Sequence, residues 1–475
     1  MQLSHTPTAI SISFDDPNLV SAAGLVPAMR LADTAGLSTL AQHRMSIAGD
    51  KGANAGAKIS SLVAGMVAGA DSIDDMDLLR HGGMNRLFAR IYAPSTLGSF
   101  LRAFTFGHVR QLDAVASRFL INLADQSPGL VPAPPAATSG YVFVDVDDTI
   151  IEVHGHQKQG AGFGYSGIRG LNALLATVTT RTSAPVVVAQ RLRRGSCGSA
   201  RGAGRLIADA ITTTRRLPAM AQQKILVRAD SAFYGRPSIH AALTAGADVS
   251  ITARMTPNIQ NAIATIPDTS WETIEYTDAL FDEDTQTWIS SAEVAEVPFT
   301  AFASKKAADQ VPGRLVVRRI PELNKKNIDQ PGLFDLHRFH AVFTTADPDL
   351  LGTVAADKTH RQHAIIEQVN ADLKNSALAH MPSGKFTANA AWLVVAVMAF
   401  NLTRTAGVIA GTGGPDPRLV DTLELVQTGP KKAETLCRKT LTPMNSKPTR
   451  SGSTRPPREP RIPRSRKTSG SPAAR

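Results

Sequence analysis

The stretch Tyr141-Val142-Phe143-Val144-Asp145-Val146-Asp147-Asp148-Thr149 constrains this chain more than any other. Its β-branched and aromatic residues predict a strand over Tyr141 to Val153. Strand alternation sends Phe143, Asp145 and Asp147 to one face and Val142, Val144 and Val146 to the other. Carboxylates stacked on one face of a buried strand are unfavourable unless a cation or a partner neutralises them. A hard divalent ion with oxygen ligands is the natural solution, and a solvated strand end is the plainer one.

Further strands are expected at 171–180 and 185–192, a helix at 199–216, and a short buried strand, Lys224 to Ala229, running into Asp230. A helix at 237–245 and a strand at 248–252 follow. The order is three strands, then alternation of helix and strand, which predicts an α/β fold with a mixed sheet. Asp230 falls at the carboxyl end of its strand, where open α/β sheets place their ligands; it could equally cap the helix that follows. Residues 255–345 break the rhythm with four strand-like runs, at 271–276, 287–297, 314–320 and 339–345, and read as a β-rich insertion. Helices are then expected at about 359–376 and 388–410. At 100° per residue, His360, His363, Glu367, Asn370 and Lys374 share one face about 80° wide, with Ile365, Ile366, Val369 and Leu373 opposite.

Before the first strand, residues 18–126 carry apolar residues at helical spacing, broken by Gly. They suit a helix-turn-helix DNA reader and equally any small helical domain. Ser127 to Gly140 has four prolines and no charge and reads as a linker. The expected organisation is a helical N-terminal DNA-binding domain over 1–126, a linker over 127–140 and a catalytic core in two parts, 141–254 and 346–412. The insertion at 255–345 lies between those parts, and a tail over 413–475 ends the chain.

The net charge of +11 is concentrated at the end of the chain. Residues 446–475 hold nine Lys/Arg and one Glu, a net of +8, leaving +3 for the first 445. A tail so rich in Pro, Ser and Arg cannot bury a core and is expected to be disordered, able to bind polyphosphate through counterion release or simply to aid solubility. Two cysteines exclude a disulfide framework and fit a reducing compartment. The opening residues lack the order of a secretory signal. The apolar run Ala391 to Phe400 is too short to span a bilayer and reads as a buried helix.

The stretches FVDVDDTI, GHQKQGAGFGYSGIRG, ILVRADSAFYG, HRQHAIIEQVNADLK and AAWLVVAVMAFNLTR together resemble the DDE transposases of bacterial insertion sequences. The resemblance runs from about Tyr141 to Thr403 and is nearest to the insertion sequence 1380 group, which has β-strands inserted before the last acid. It implies an RNase H-like core and cleavage and joining of DNA at the element's ends. It also implies two Mg²⁺ (or Mn²⁺) ions held by Asp147, Asp230 and Glu367, with Asp148 or Asp145 as alternative first ligand. Implied partners are double-stranded DNA, both terminal inverted repeats and target, and a second copy in a synaptic dimer. The implied setting is a bacterial cytoplasm, away from membranes. His360, Arg361, His363 and Lys374 are the expected DNA contacts. Related enzymes often carry Tyr and Arg where this chain has His360 and His363, and neutral imidazole grips phosphate less strongly than guanidinium.

A competing resemblance is to haloacid-dehalogenase-type phosphatases, whose Asp-x-Asp-x-Thr motif is met by Asp145 to Thr149, with Asp145 as nucleophile. The second acid expected shortly after Asp230 is absent, and three consecutive strands disagree with that fold. A catalytically inactive DNA-binding relative is the remaining alternative.

Overall fold

The computed structural model describes residues 17–89, 91–134, 140–155, 157–218, 220–282, 287–321 and 337–411, all in a unit that ends at Thr428. The side chains of 275–291 and of Pro321 are left out as well. The basic tail expected over 413–475 lies outside the described residues.

Helices come first: α1 (Leu25–Thr34), α2 (Leu37–Arg44), α3 (Ala55–Val67), α4 (Met84–Leu87), α5 (Pro94–Arg102) and α6 (Phe106–Gln126). The core follows as β1 (Val142–Glu152), β2 (Gly162–Phe163), β3 (Arg169–Thr179), β4 (Val186–Arg194), α7 (Ala203–Thr214), β5 (Ile225–Ala229), α8 (Arg236–Thr244) and β6 (Asp248–Ala253). Then come α9 (Pro257–Ala264), β7 (Glu272–Asp282), β8 (Thr287–Ala301), β9 (Val311–Pro321), β10 (His337–Thr344), α10 (Thr353–Arg361), α11 (Ile365–Lys374) and α12 (Phe386–Ile409).

The central strands lie in the order β4-β3-β1-β5-β6. β1 is antiparallel to β3 and parallel to β5, and β5 is parallel to β6. This mixed sheet, flanked by helices, has the arrangement expected of an RNase H-like core. The strands read as an insertion do not form a separate body. β10 pairs with β6, and β9, β8 and β7 continue outward, so all ten strands make one sheet. α9, which the strand-rich reading of this region overlooked, is two turns long and begins with Pro257 at its first position, where a missing N–H is harmless.

The two sheet faces are filled differently. Val142, Val144 and Val146 join the large core that also receives α7 and α12, whereas Tyr141 and Phe143 join Leu226, Val294, Val316, Leu351 and Ala356 beneath α10. α12 is apolar on every side, as a helix buried all round must be. By length and composition it could cross a membrane, yet most of its apolar stretch is buried inside this fold. It packs on α1, α3, α5 and α6 as well as on β4. The N-terminal helices and the sheet therefore share one continuous apolar core, and residue 126 marks no break in packing. α3 buries most of its length, so it offers no free face to a DNA groove.

β4 pairs only with β3, and α12 protects it. Val187 N–H donates to Asn401 Oδ1 (2.9 Å) and Asn401 Nδ2 donates back to the Val187 carbonyl (2.8 Å), both buried. Replacing Asn401 with Leu strands both backbone groups away from water, at about 1–3 kcal/mol each. Urea unfolding of Asn401→Leu should show a loss of about 2 kcal/mol or more with an unchanged slope. A midpoint equal to wild type would show that the clamp does not hold this edge.

Candidate active site

Parallel pairing brings two of the expected acids together. Val146 and Ala229 are register partners on β1 and β5, so the next residues, Asp147 and Asp230, emerge side by side at the carboxyl ends of adjacent strands. Because Asp145 pairs with Arg228 two positions earlier, the alternation puts Asp145, Arg228, Asp147 and Asp230 on one face. Asp230 is exposed, and one of its oxygens accepts from Ala232 N (2.9 Å), capping the 3₁₀ turn Ser231–Phe233 rather than α8.

The three aspartates of β1 have different fates. Asp145 is fully buried, its two oxygens held by Arg228 Nε (2.7 Å) and Nη2 (2.8 Å), with His363 Nδ1 at 3.2 Å. Burial alone would raise its pKa, but the Arg228 guanidinium and His363 outweigh it and hold the carboxyl below its usual range. An acid so enclosed cannot attack phosphorus, which removes the phosphatase reading. Asp148 points to the opposite face. There it pairs with Arg193 Nη2 (2.7 Å) and accepts from Asn172, while Arg193 also donates to the carbonyls of Ser199 and Arg201.

Asp147 alone has no arginine or lysine partner among the described residues. Its Oδ2 accepts from Asn370 Nδ2 (2.7 Å). Burial, with Asp148 and Asp230 nearby, pushes its carboxyl up to about 6, although the Asp148 amide and His363 work the other way.

The helical segment beyond the insertion departs from the single helix expected over 359–376. α10 ends at Arg361, Gln362–Ala364 form a 3₁₀ turn, and α11 begins at Ile365. The tighter turn breaks the face calculation. His363 still reaches Asp145 and Asn370 reaches Asp147, while Glu367, between them in sequence, is exposed in the first turn of α11. His360 is rotated inward. It is buried between Ser250 Oγ (3.0 Å from Nδ1) and Thr252 Oγ1 (2.9 Å from Nε2), and burial lowers its pKa to about 3. His360, one of the expected DNA contacts, is thus turned inward with both ring nitrogens engaged by side chains of β6. Arg361 is partly exposed and paired with Asp357 (2.9 Å), and Lys374 is exposed at the end of α11. Sequence reasoning missed Arg228 and Arg193, and placed Asn370 on this helix face without giving it a role. An arginine inside the apolar strand Lys224 to Ala229 was the available signal for the first.

Among the described residues, no three His, Cys, Asp or Glu side chains are gathered closely enough to hold an ion as they lie. The donor chemistry nevertheless suits a hard cation. Asp147 and Asp230 are neighbouring oxygen donors, and a cation would offset both the burial and the neighbouring negative charges that raise the Asp147 pKa. Asn370 Oδ1 is also buried beside them without a hydrogen-bond partner.

A family model described as transposase DDE domain group 1 matches residues 4–410. The chain belongs to the DDE transposases. No curated protein matches it. Membership of this family implies a nuclease and polynucleotidyl-transferase type of enzyme that acts in DNA transposition. The matched span takes in the N-terminal helices of the transposase as well as the sheet, in keeping with their common core.

Two predictions follow from this arrangement. Arg228→Met leaves Asp145 buried with only His363 beside it, at about 3–5 kcal/mol. Its melting temperature should fall sharply, and the Asp145→Leu/Arg228→Met double variant should recover most of the loss. Equal stability of the two variants would contradict a paired charge. For Asp147, a folded pKa near 6 against an ordinary 3.8 means that the fold favours the proton. Its stabilisation is complete below about pH 4 and is lost as pH rises through 6, by at most about 3 kcal/mol. Without divalent ions, Asp147→Asn should therefore melt higher than wild type at pH 8 and with it near pH 4. Parallel pH profiles would refute the shift.

Proposed function

We propose that this chain cleaves DNA at the ends of an insertion sequence of the 1380 group and joins the freed ends to target DNA, a cut-and-paste transposition. The observation that carries the reading is the isolation of Asp147. The other two aspartates of β1 are each locked to an arginine, while Asp147 follows the register pair that precedes Asp230 and accepts from Asn370, three residues after Glu367 on α11.

Asp147, Asp230 and Glu367 would hold two Mg²⁺ or Mn²⁺ ions. When bound, these would supply Lewis-acid stabilisation of the attacking and leaving oxygens of an in-line displacement at phosphorus. Asp145 and Asp148 drop out as first ligands because their charges are already spent on Arg228 and Arg193. Water attacks the phosphodiester at the element end and releases a 3′-hydroxyl, and that hydroxyl then attacks a target phosphodiester and expels its 3′-oxygen. The chain's own residues hold the strand for both steps. Lys374 and Arg361 offer positive charge to phosphates flanking the acids, and His363, held by Asp145, is a further candidate contact to the strand. His360 has no such role, having been absorbed into the fold. The enzyme would act in a bacterial cytoplasm as a dimer that brings two element ends together.

The test uses purified protein and an end-labelled fragment carrying the terminal repeat of its own element. Wild type should nick it with Mg²⁺ or Mn²⁺ and not in EDTA, and Glu367→Gln should bind the fragment but not cut it. Cleavage by the variant would refute the site. Hydrolysis of a simple phosphomonoester with the DNA left intact would refute the activity.

A further inference from the structure

The glycine-rich loop between β1 and β3 carries residues that the proposed chemistry does not use. Phe163 is 66% exposed and Tyr165 72% exposed, two residues apart, with Ile168 also exposed beside them. Leaving such rings in water is unfavourable, and nothing in the packing of the fold requires it.

The loop is firmly held. Gln159 N–H donates to the Gly384 carbonyl (2.9 Å), and Gln159 Oε1 accepts from Phe386 N–H (3.1 Å) at the start of α12. Gly160, with φ at 80°, lies against the Phe386 ring, where a Cβ would come within 2.7 Å. Across the loop, Gly195 N–H donates to the Gly160 carbonyl (3.0 Å), and Gly162 and Phe163 pair with Gly170 and Arg169. Gly164 is so close to the Gly195 carbonyl that a Cβ there would stand 2.5 Å away. The backbone is thus pinned on two sides while the rings face outward.

The loop also lies over β1: a Cβ on Gly164 would stand 3.7 Å from Ile150 Cδ1, two residues beyond Asp148 on the same strand. In keeping with that position, burial and the charges of Asp148, Asp147 and Asp230 raise the Tyr165 pKa, and Arg193 opposes them. The turn beneath it and the start of α7 carry exposed Arg194, Arg201 and Arg205. Exposed aromatic rings beside arginines form the pattern that holds single-stranded nucleic acid, with bases stacked on the rings and phosphates on the cations. The exposed arginines favour a polyanionic occupant over an apolar protein face.

We propose that Phe163 and Tyr165 stack unpaired nucleobases of the DNA strand whose backbone is presented to Asp147 and Asp230. The proposal rests on the DNA-processing reading above, but its test does not require cleavage. Fluorescence anisotropy in EDTA, with the full chain, compares a labelled single-stranded oligothymidylate with a random-sequence duplex of equal length. Phe163→Ala/Tyr165→Ala should weaken single-strand binding about tenfold or more and duplex binding less than twofold. Tyr165→Phe should bind like wild type, because the ring rather than the hydroxyl stacks. All variants should melt with wild type, since the rings are exposed.

Single-strand binding that is absent in wild type or unchanged in the double variant overturns the proposal, as does equal weakening by Tyr165→Phe and Tyr165→Ala. If the double variant alters the mass by light scattering and leaves DNA binding unchanged, the rings serve a contact between copies and the proposal also fails. A protein that shows the aromatic-dependent binding but never cuts its element would refute the proposed activity and leave this site standing.

Discussion

The ion pair between Arg228 and Asp145 lies behind everything at this site. Both side chains are almost wholly removed from water, and a charge stranded there is very unfavourable, so the pair forces its surroundings into register. It ties β1 to β5 at the level that brings Asp147 beside Asp230. Arg228 Nη1 donates to the Thr359 carbonyl (2.6 Å), fixing the end of α10, and its guanidinium lies 4.3 Å from the centre of the Phe143 ring. His363 meets the same Asp145 oxygen from the 3₁₀ turn that leads into α11. One pair of opposite charges therefore sets the strand that bears Asp147 and Asp230's neighbour, and it also sets the helix that bears Glu367.

The second buried pair does comparable work on the far face of the same strand. Arg193 neutralises Asp148 and, through its donations to Ser199 and Arg201, shapes the turn that leads into α7. That turn is also the surface on which the glycine-rich loop rests. The glycines at 164 and 195 are needed there because backbone meets backbone without room for side chains, and Gly160 because of its positive φ and the Phe386 ring against it.

Much of this was legible in the sequence, and the rest failed for identifiable reasons. Period-two alternation through Phe143, Asp145 and Asp147 gave their common face correctly, because a strand this apolar has one register that buries its valines. The mixed α/β sheet followed from three strands in succession and then alternation. What periodicity could not reveal was which charges had partners. Arg228 and Asp145 are 83 residues apart, and Arg193 and Asp148 are 45. The helix before Glu367 was misread for a local reason: 3.6-residue periodicity cannot register a single 3₁₀ turn, and that turn carries His360 into the core. The β-rich stretch was recognised as strands, but its continuation of the central sheet depends on the antiparallel pairing of β10 with β6, a long-range choice that local pattern does not encode.

These pairings also decide where charge remains. β1 bears three acids in four positions, and two of them are cancelled by arginines that reach it from β4 and β5. The uncompensated negative charge is thereby concentrated at Asp147 and the adjacent Asp230, at the edge of the described core rather than inside it. A DNA backbone brought to that edge would meet repulsion growing with every phosphate, since no arginine or lysine among the described residues pairs with Asp147. Positive charge must therefore stand between the acids and the strand before the two can approach. Hard cations at the acids and the exposed arginines beneath the glycine-rich loop would meet that need at two different distances. The same concentration of charge that destabilises the empty site is what would make cation binding and DNA binding depend on each other.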